Sequence, residues 1–142
     1  MSVASFHHIH RVTYSECTVG NHVYYARYLD ILESARGEFF RHLGATLLQW
    51  QELECIFPVI ECRVRYKAQA RYDDTLTIEV TPTAIEKVRL NFSQRVLNQS
   101  NILVLEAETF HVCTDLNEKP KRLPAEVVAK LQPYLCSGEQ PA

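Results

Sequence analysis

The chain has 142 residues and a mass of 16.4 kDa, enough for one domain and too short to add a separate nucleotide-binding domain. Hydrophobic residues make up 46% and charged residues 23%, which is globular usage and excludes disorder as a description of the whole. A net charge of −2 and a pI near 6.3 exclude nucleic-acid binding by bulk charge, and no run of about 18 apolar residues is present to form a membrane-spanning helix. The five cysteines are odd in number and contain no C-x-x-C, so reduced thiols are expected rather than a disulfide framework or a zinc site. Met1 to Phe6 lack the charged and apolar regions of a secretory signal, so the cytoplasm is the expected compartment. The four glycines, at 20, 37, 44 and 138, are too few and too dispersed for a phosphate-binding loop.

Residues 6–14 alternate weakly, with Phe6, His8, His10 and Val12 on one side, which predicts a first strand. Ser15 to His22 is small and polar, with a turn signal at Gly20-Asn21. From about Tyr24 to Leu43 the period becomes helical. Tyr28, Leu32, Ala35, Phe39 and Leu43 share one face, and Asp30, Ser34, Gly37 and Arg41 lie opposite. Leu29, Glu33, Arg36 and Phe40 fall on a flank between the two, and Gly44 follows as a C-cap. Residues 46–57 show no clear pattern. Ile60, Cys62, Val64 and Tyr66 then alternate with charged residues as a half-buried strand. Leu76, Ile78 and Val80 mark the next strand, Val88, Leu90, Phe92 and Val96 a third, and Leu103 to about Thr114 a last, after a hairpin turn at 98–101. A short helix over 125–134 closes a single domain of residues 1–136, and residues 137–142 are expected to fray. One long helix among hairpin-connected strands is an α+β layer design, and its open sheet edges call for at least a dimer.

The informative block runs from Arg11 through Gly20-Asn21-His22-Val23-Tyr24-Tyr25-Ala26-Arg27-Tyr28 to Glu33-Ser34-Ala35-Arg36. It is a strand, a polar loop and a helix start, where unpaired N–H donors and the positive end of the helix dipole could meet a thioester oxygen. This block resembles the 4-hydroxybenzoyl-CoA thioesterase family of hot-dog proteins, including its YbgC-like acyl-CoA thioesterases, and the resemblance covers almost the whole chain. It implies a long central helix wrapped by a five- to six-stranded antiparallel sheet, dimers that often pair into homotetramers, and acyl-thioester sites at the dimer interface. The chain departs from the pattern at the position of the family's catalytic aspartate, which is Thr18 here. A threonine cannot supply a carboxylate. The thioesterases of enediyne polyketide pathways share the fold and also lack that acid. In those, hydrolysis is attributed to positioned water with help from a helix arginine, which corresponds to Arg36.

The resemblance assigns the oxyanion donor to the amide of Tyr25. Thr18 either binds a water or the acyl oxygen, or holds the loop through an ST-turn. Glu16 is either a substitute base or an exposed strand-end carboxylate. Glu33 and Arg36, three apart on the helix, either pair with each other or position water and substrate. Substrate contacts are expected from Asn21 and His22 in the loop, and from Tyr28, Leu32 and Phe39 along an apolar groove. The histidines at 7, 8 and 10 lack further ligands for a metal, and Cys17 lacks a base that would make it a nucleophile. No metal and no cofactor are expected. The expected function is hydrolysis of an acyl thioester carried on CoA or acyl-carrier protein. The competing readings are a non-catalytic acyl-thioester binding module and, last, a hydratase on the same fold.

Overall fold

The computed structural model describes residues 4–136; the expected frayed tail, 137–142, lies outside the described residues. The elements run β1 (Phe6–Arg11), β2 (Cys17–Thr18), β3 (His22–Val23), α1 (Arg27–His42), α2 (Leu47–Glu52), β4 (Val59–Tyr66), β5 (Thr75–Glu86), β6 (Arg89–Leu97), β7 (Leu103–Val112) and α3 (Ala125–Leu131). Five strands form one antiparallel sheet in the order β1-β5-β6-β7-β4. The β2–β3 hairpin stands apart as a small sheet of its own.

The helix α1 forms where the 3.6-residue apolar period is longest. It buries Tyr28, Ile31, Leu32, Ala35, Phe39 and Phe40 against Leu76, Ile78 and Val80 of β5 and Leu90, Phe92 and Val96 of β6, all at most 1% exposed. Phe39 is the hub: it stacks on Phe6 of β1 and meets Phe92 edge-on. The helix stops at Gly44, whose φ of +108° suits a residue without Cβ. It starts later than its periodicity suggests, at Arg27, because residues 24–26 are spent on a turn closed by the Arg27 N–H donating to the Tyr24 carbonyl at 2.8 Å.

Two features differ from expectation. Residues 46–57 contain the short helix α2, opened by a reciprocal capping box: Gln49 N–H donates to Thr46 Oγ1 at 3.2 Å, and Thr46 N–H donates to Gln49 Oε1 at 2.7 Å. The strand β4 is not half-buried. Apart from Val64 it is exposed along its length, with Val59, Ile60 and Tyr66 each about half exposed. It is an edge strand, beside β7, at the end of the sheet opposite β1. The one long helix packs toward β1, β5 and β6 and leaves the β4 edge and its alternating apolar residues open.

Candidate active site

The loop between β1 and α1 is built to hold still. Glu16 Oε1 accepts the Thr13 N–H at 2.8 Å and bonds His10 Nε2 at 2.9 Å. This makes Glu16 a brace inside a capping box rather than an exposed strand-end group. Gly20 and Asn21 turn the hairpin with positive φ, and the turn closes when Asn21 N–H donates to the Thr18 carbonyl at 3.1 Å. Arg71 Nη1 donates to the carbonyls of Gly20 and Asn21 at 3.3 and 3.2 Å. Asn21 Oδ1 accepts the Tyr72 N–H at 3.3 Å, so the Asn21 side chain anchors the loop. His22 bonds the Val23 carbonyl through Nδ1 at 3.3 Å. Thr18 pairs with His22 across the hairpin and is exposed. Burial, and then the negative charges of Glu16 and Asp74, push the Cys17 thiol above its usual pKa and away from the thiolate form.

The loop delivers the chain to the start of α1, which has no side-chain cap. Among the described residues, the amides of Tyr25 and Ala26 donate to no backbone acceptor. Both peptide planes are nevertheless fixed from their carbonyl ends. The Tyr24 carbonyl accepts from Arg27 N–H at 2.8 Å, and the Tyr25 carbonyl accepts from the Tyr66 hydroxyl at 3.0 Å. A carbonyl that accepts a hydrogen bond polarises the N–H of the same peptide, so these two amides are oriented and strengthened donors on an exposed surface.

The other half of the expected site lies further along α1. The Glu33–Arg36 ion pair does not form. The spacing favours it, but Arg36 turns inward, and its Nη1 donates to Gln94 Oε1 at 2.9 Å. Burial pushes the Arg36 guanidinium below its ordinary pKa, and the Glu33 charge works against that; an arginine starts so far above neutrality that the group stays charged. Glu33 is exposed beside it. Both border a cavity of about 200 Å³ walled by Phe40, Phe57, Phe92 and His111. His111 is buried. Its Nδ1 contacts the Phe57 carbonyl, which can only accept, so Nδ1 carries the proton and Nε2 takes the Thr109 hydroxyl, both at 2.9 Å. Burial, with some help from Arg36, holds the ring neutral with a pKa lowered to about 4.

The expected groove along Tyr28, Leu32 and Phe39 is corrected. Leu32 and Phe39 are 1% and 0% exposed and belong to the core. Tyr28 is buried too, and its hydroxyl accepts the Ala70 N–H at 3.1 Å. The cavity opens one flank over, on the Glu33–Arg36–Phe40 side of the helix. Gln94, Thr109 and Phe57 are functional candidates that periodicity passed over. Gln94 and Thr109 sit at core positions of their strands, and a polar residue in an apolar stripe is the signal that would have found them.

The sequence matches the thioesterase-like superfamily over residues 12–131. The chain belongs to that superfamily. It is 37% identical over 123 residues, 86% of this chain and 92% of the relative, to the acyl-CoA thioester hydrolase YbgC of Escherichia coli. Among solved structures it is similar to a hypothetical protein from Aquifex aeolicus, with TM-score 0.84 and 26% identity over 89% of this chain and 98% of the other. A 1,4-dihydroxy-2-naphthoyl-CoA thioesterase from Synechocystis also has TM-score 0.84, at 20% identity over 97% of this chain and 100% of the other, a likeness of fold. The hot-dog architecture read from the sequence is therefore the fold of this chain, and its reaction is thioester hydrolysis.

Proposed function

We propose that the chain hydrolyses acyl-CoA thioesters at a site shared between two copies. The observation that carries this reading is the uncapped start of α1, with the exposed amides of Tyr25 and Ala26 fixed from behind. Donors held in advance where charge develops are the main lever on acyl transfer. The thioester oxygen sits on these amides. A water held by Thr18 and Glu33 attacks the carbonyl carbon, and Glu33 takes its proton. The tetrahedral oxyanion collapses, the C–S bond breaks, and the thiolate leaving group receives that proton. Arg36 offsets the negative charge.

Arg27, the first residue of α1, and Arg36 are nine positions apart, roughly 14 Å along a helix rising about 1.5 Å per residue, and Tyr25 lies before that start. One copy does not bring its amides and its guanidinium to the same carbonyl. A second copy running antiparallel along the open β4 edge supplies the missing half and covers Val59 and Ile60. We therefore infer a homodimer, with a homotetramer as its further assembly, working in the cytoplasm as one domain over residues 1–136. Acyl-carrier protein is the competing carrier. The test is thiol release, followed with a thiol-reactive dye, across acyl-CoAs and acyl-carrier-protein thioesters. Turnover on CoA substrates that collapses in Glu33→Gln and in Arg36→Met supports the assignment. Full activity in both variants refutes these residue roles.

A further inference from the structure

Among the described residues, Gln94, Thr109, His111 and Thr114 are polar residues buried in the core. His111 and Thr109 satisfy each other and the Phe57 carbonyl. Gln94 does something different. It lies mid-strand in β6, 1% exposed, at the parity of Phe92 and Val96, where alternation calls for an apolar residue. Both ends of its amide are used. Nε2 donates to the Leu32 carbonyl and Oε1 accepts from Arg36 Nη1, each at 2.9 Å. The carbonyl of Leu32 can only accept, so that contact decides which end of the amide is nitrogen.

Leu32 and Arg36 lie one helical turn apart. A single side chain therefore grips the backbone of α1 and the head group that rises from its next turn. The contact with Gln94 is the one hydrogen bond the Arg36 side chain makes among the described residues, and no buried side-chain nitrogen of Arg36 is left without a partner. Its remaining side-chain nitrogens are therefore not buried, and the residue borders the cavity. With His111 neutral, Arg36 is the positive charge on that cavity wall.

We propose that Gln94 is a positioning residue for thioester hydrolysis, holding the Arg36 guanidinium so that its unused donors face the cavity with their charge intact. The inference rests on the role given to Arg36 above. The neutrality of the amide matters. A glutamate at 94 would cancel the guanidinium charge in an ion pair and set a carboxylate oxygen against the Leu32 carbonyl. An apolar residue would leave the guanidinium free to swing toward Glu33.

The test uses Gln94→Met, which keeps shape and packing, and Gln94→Glu, which keeps an acceptor. Each is made in the wild-type and Arg36→Met backgrounds, with thermal midpoints confirming folding. Gln94→Met should lower kcat about tenfold or more, the scale of a charge-assisted hydrogen bond, with KM within about twofold. In the Arg36→Met background the same change should cost less than about twofold, because partners acting through one contact are not additive. Gln94→Glu should also lose kcat. In ¹⁵N spectra the Arg36 side-chain signals should be sharp in the wild type and broaden in Gln94→Met. Unchanged Arg36 signals in Gln94→Met, or an equal kcat loss in both backgrounds, overturn the proposal. Full turnover in Arg36→Met alone overturns the role of Arg36 and this inference with it, and that single variant separates the two failures.

Discussion

Tyr66→Phe removes one oxygen from the molecule and is the sharpest test of the amide site. The hydroxyl donates to the Tyr25 carbonyl at 3.0 Å. The ring contacts with Tyr25 and Tyr28, at 6.4 and 5.7 Å between centroids, survive in phenylalanine. Tyr66 is 48% exposed, so water can replace the lost bond, and the stability cost should fall at or below about 0.5 kcal/mol, the low end for a neutral hydrogen bond. Catalysis should suffer more. Deleting a whole oxyanion donor costs about 10²–10³ in kcat. Here the Ala26 amide stays in place, and only the brace on its peptide plane is lost. A share of that penalty, about three- to tenfold in kcat, is expected, with KM within about twofold. The assay is initial-rate thiol release on an acyl-CoA substrate, beside a thermal melt and a sizing column to show that fold and assembly are unchanged. A variant with the wild-type kcat would refute the claim that the Tyr25–Ala26 peptide faces the reacting oxygen.

Three further outcomes follow from the same structure. Thr18→Asp places a carboxylate on the exposed hairpin strand beside the attacking water, and kcat should rise about tenfold or more, within the range of general-base catalysis, as read by the same thiol assay. Leu32→Ala should cost about 2–5 kcal/mol in urea denaturation, because the side chain fills the core, while KM measured well below the melting midpoint stays unchanged. His111 titrates near 6.5 in the unfolded chain and about 4 when folded. Its contribution to stability is therefore full above pH 6.5 and is lost as the pH falls toward 4, about 3 kcal/mol in all. Urea denaturation across that window should show His111→Gln declining less steeply than the wild type.

The long helix and the sheet strands were legible because each buries a single face, and a single buried face leaves a clean period of 3.6 or 2. Six-residue α2 is too short to show a period, although the Thr46…Gln49 capping box was there to be read. Strand β4 alternates like a half-buried strand but is open on its own chain. Alternation reports which residues seek cover and is silent on whether the same copy provides it. Leu32 and Phe39 failed as groove residues for a related reason: periodicity finds the buried face of a helix, whereas a cavity borders only part of it. The Glu33–Arg36 pairing rested on helical spacing alone. A buried amide on the facing sheet, 58 positions distant in sequence though one hydrogen bond away in space, offers the guanidinium a better partner than an exposed carboxylate can.

The anchoring of the β2–β3 hairpin bears on how turnover is timed. Arg71 holds the Gly20 and Asn21 carbonyls, Tyr72 holds the Asn21 side chain, and Glu16 braces the stem against His10. A segment tied at its tip and its base does not open and close over a substrate. It is scaffold that stands ready before the thioester arrives. The speed of the enzyme is then set by bond making and product departure, and adding a viscogen such as sucrose should slow it only as far as diffusion of the reactants dictates.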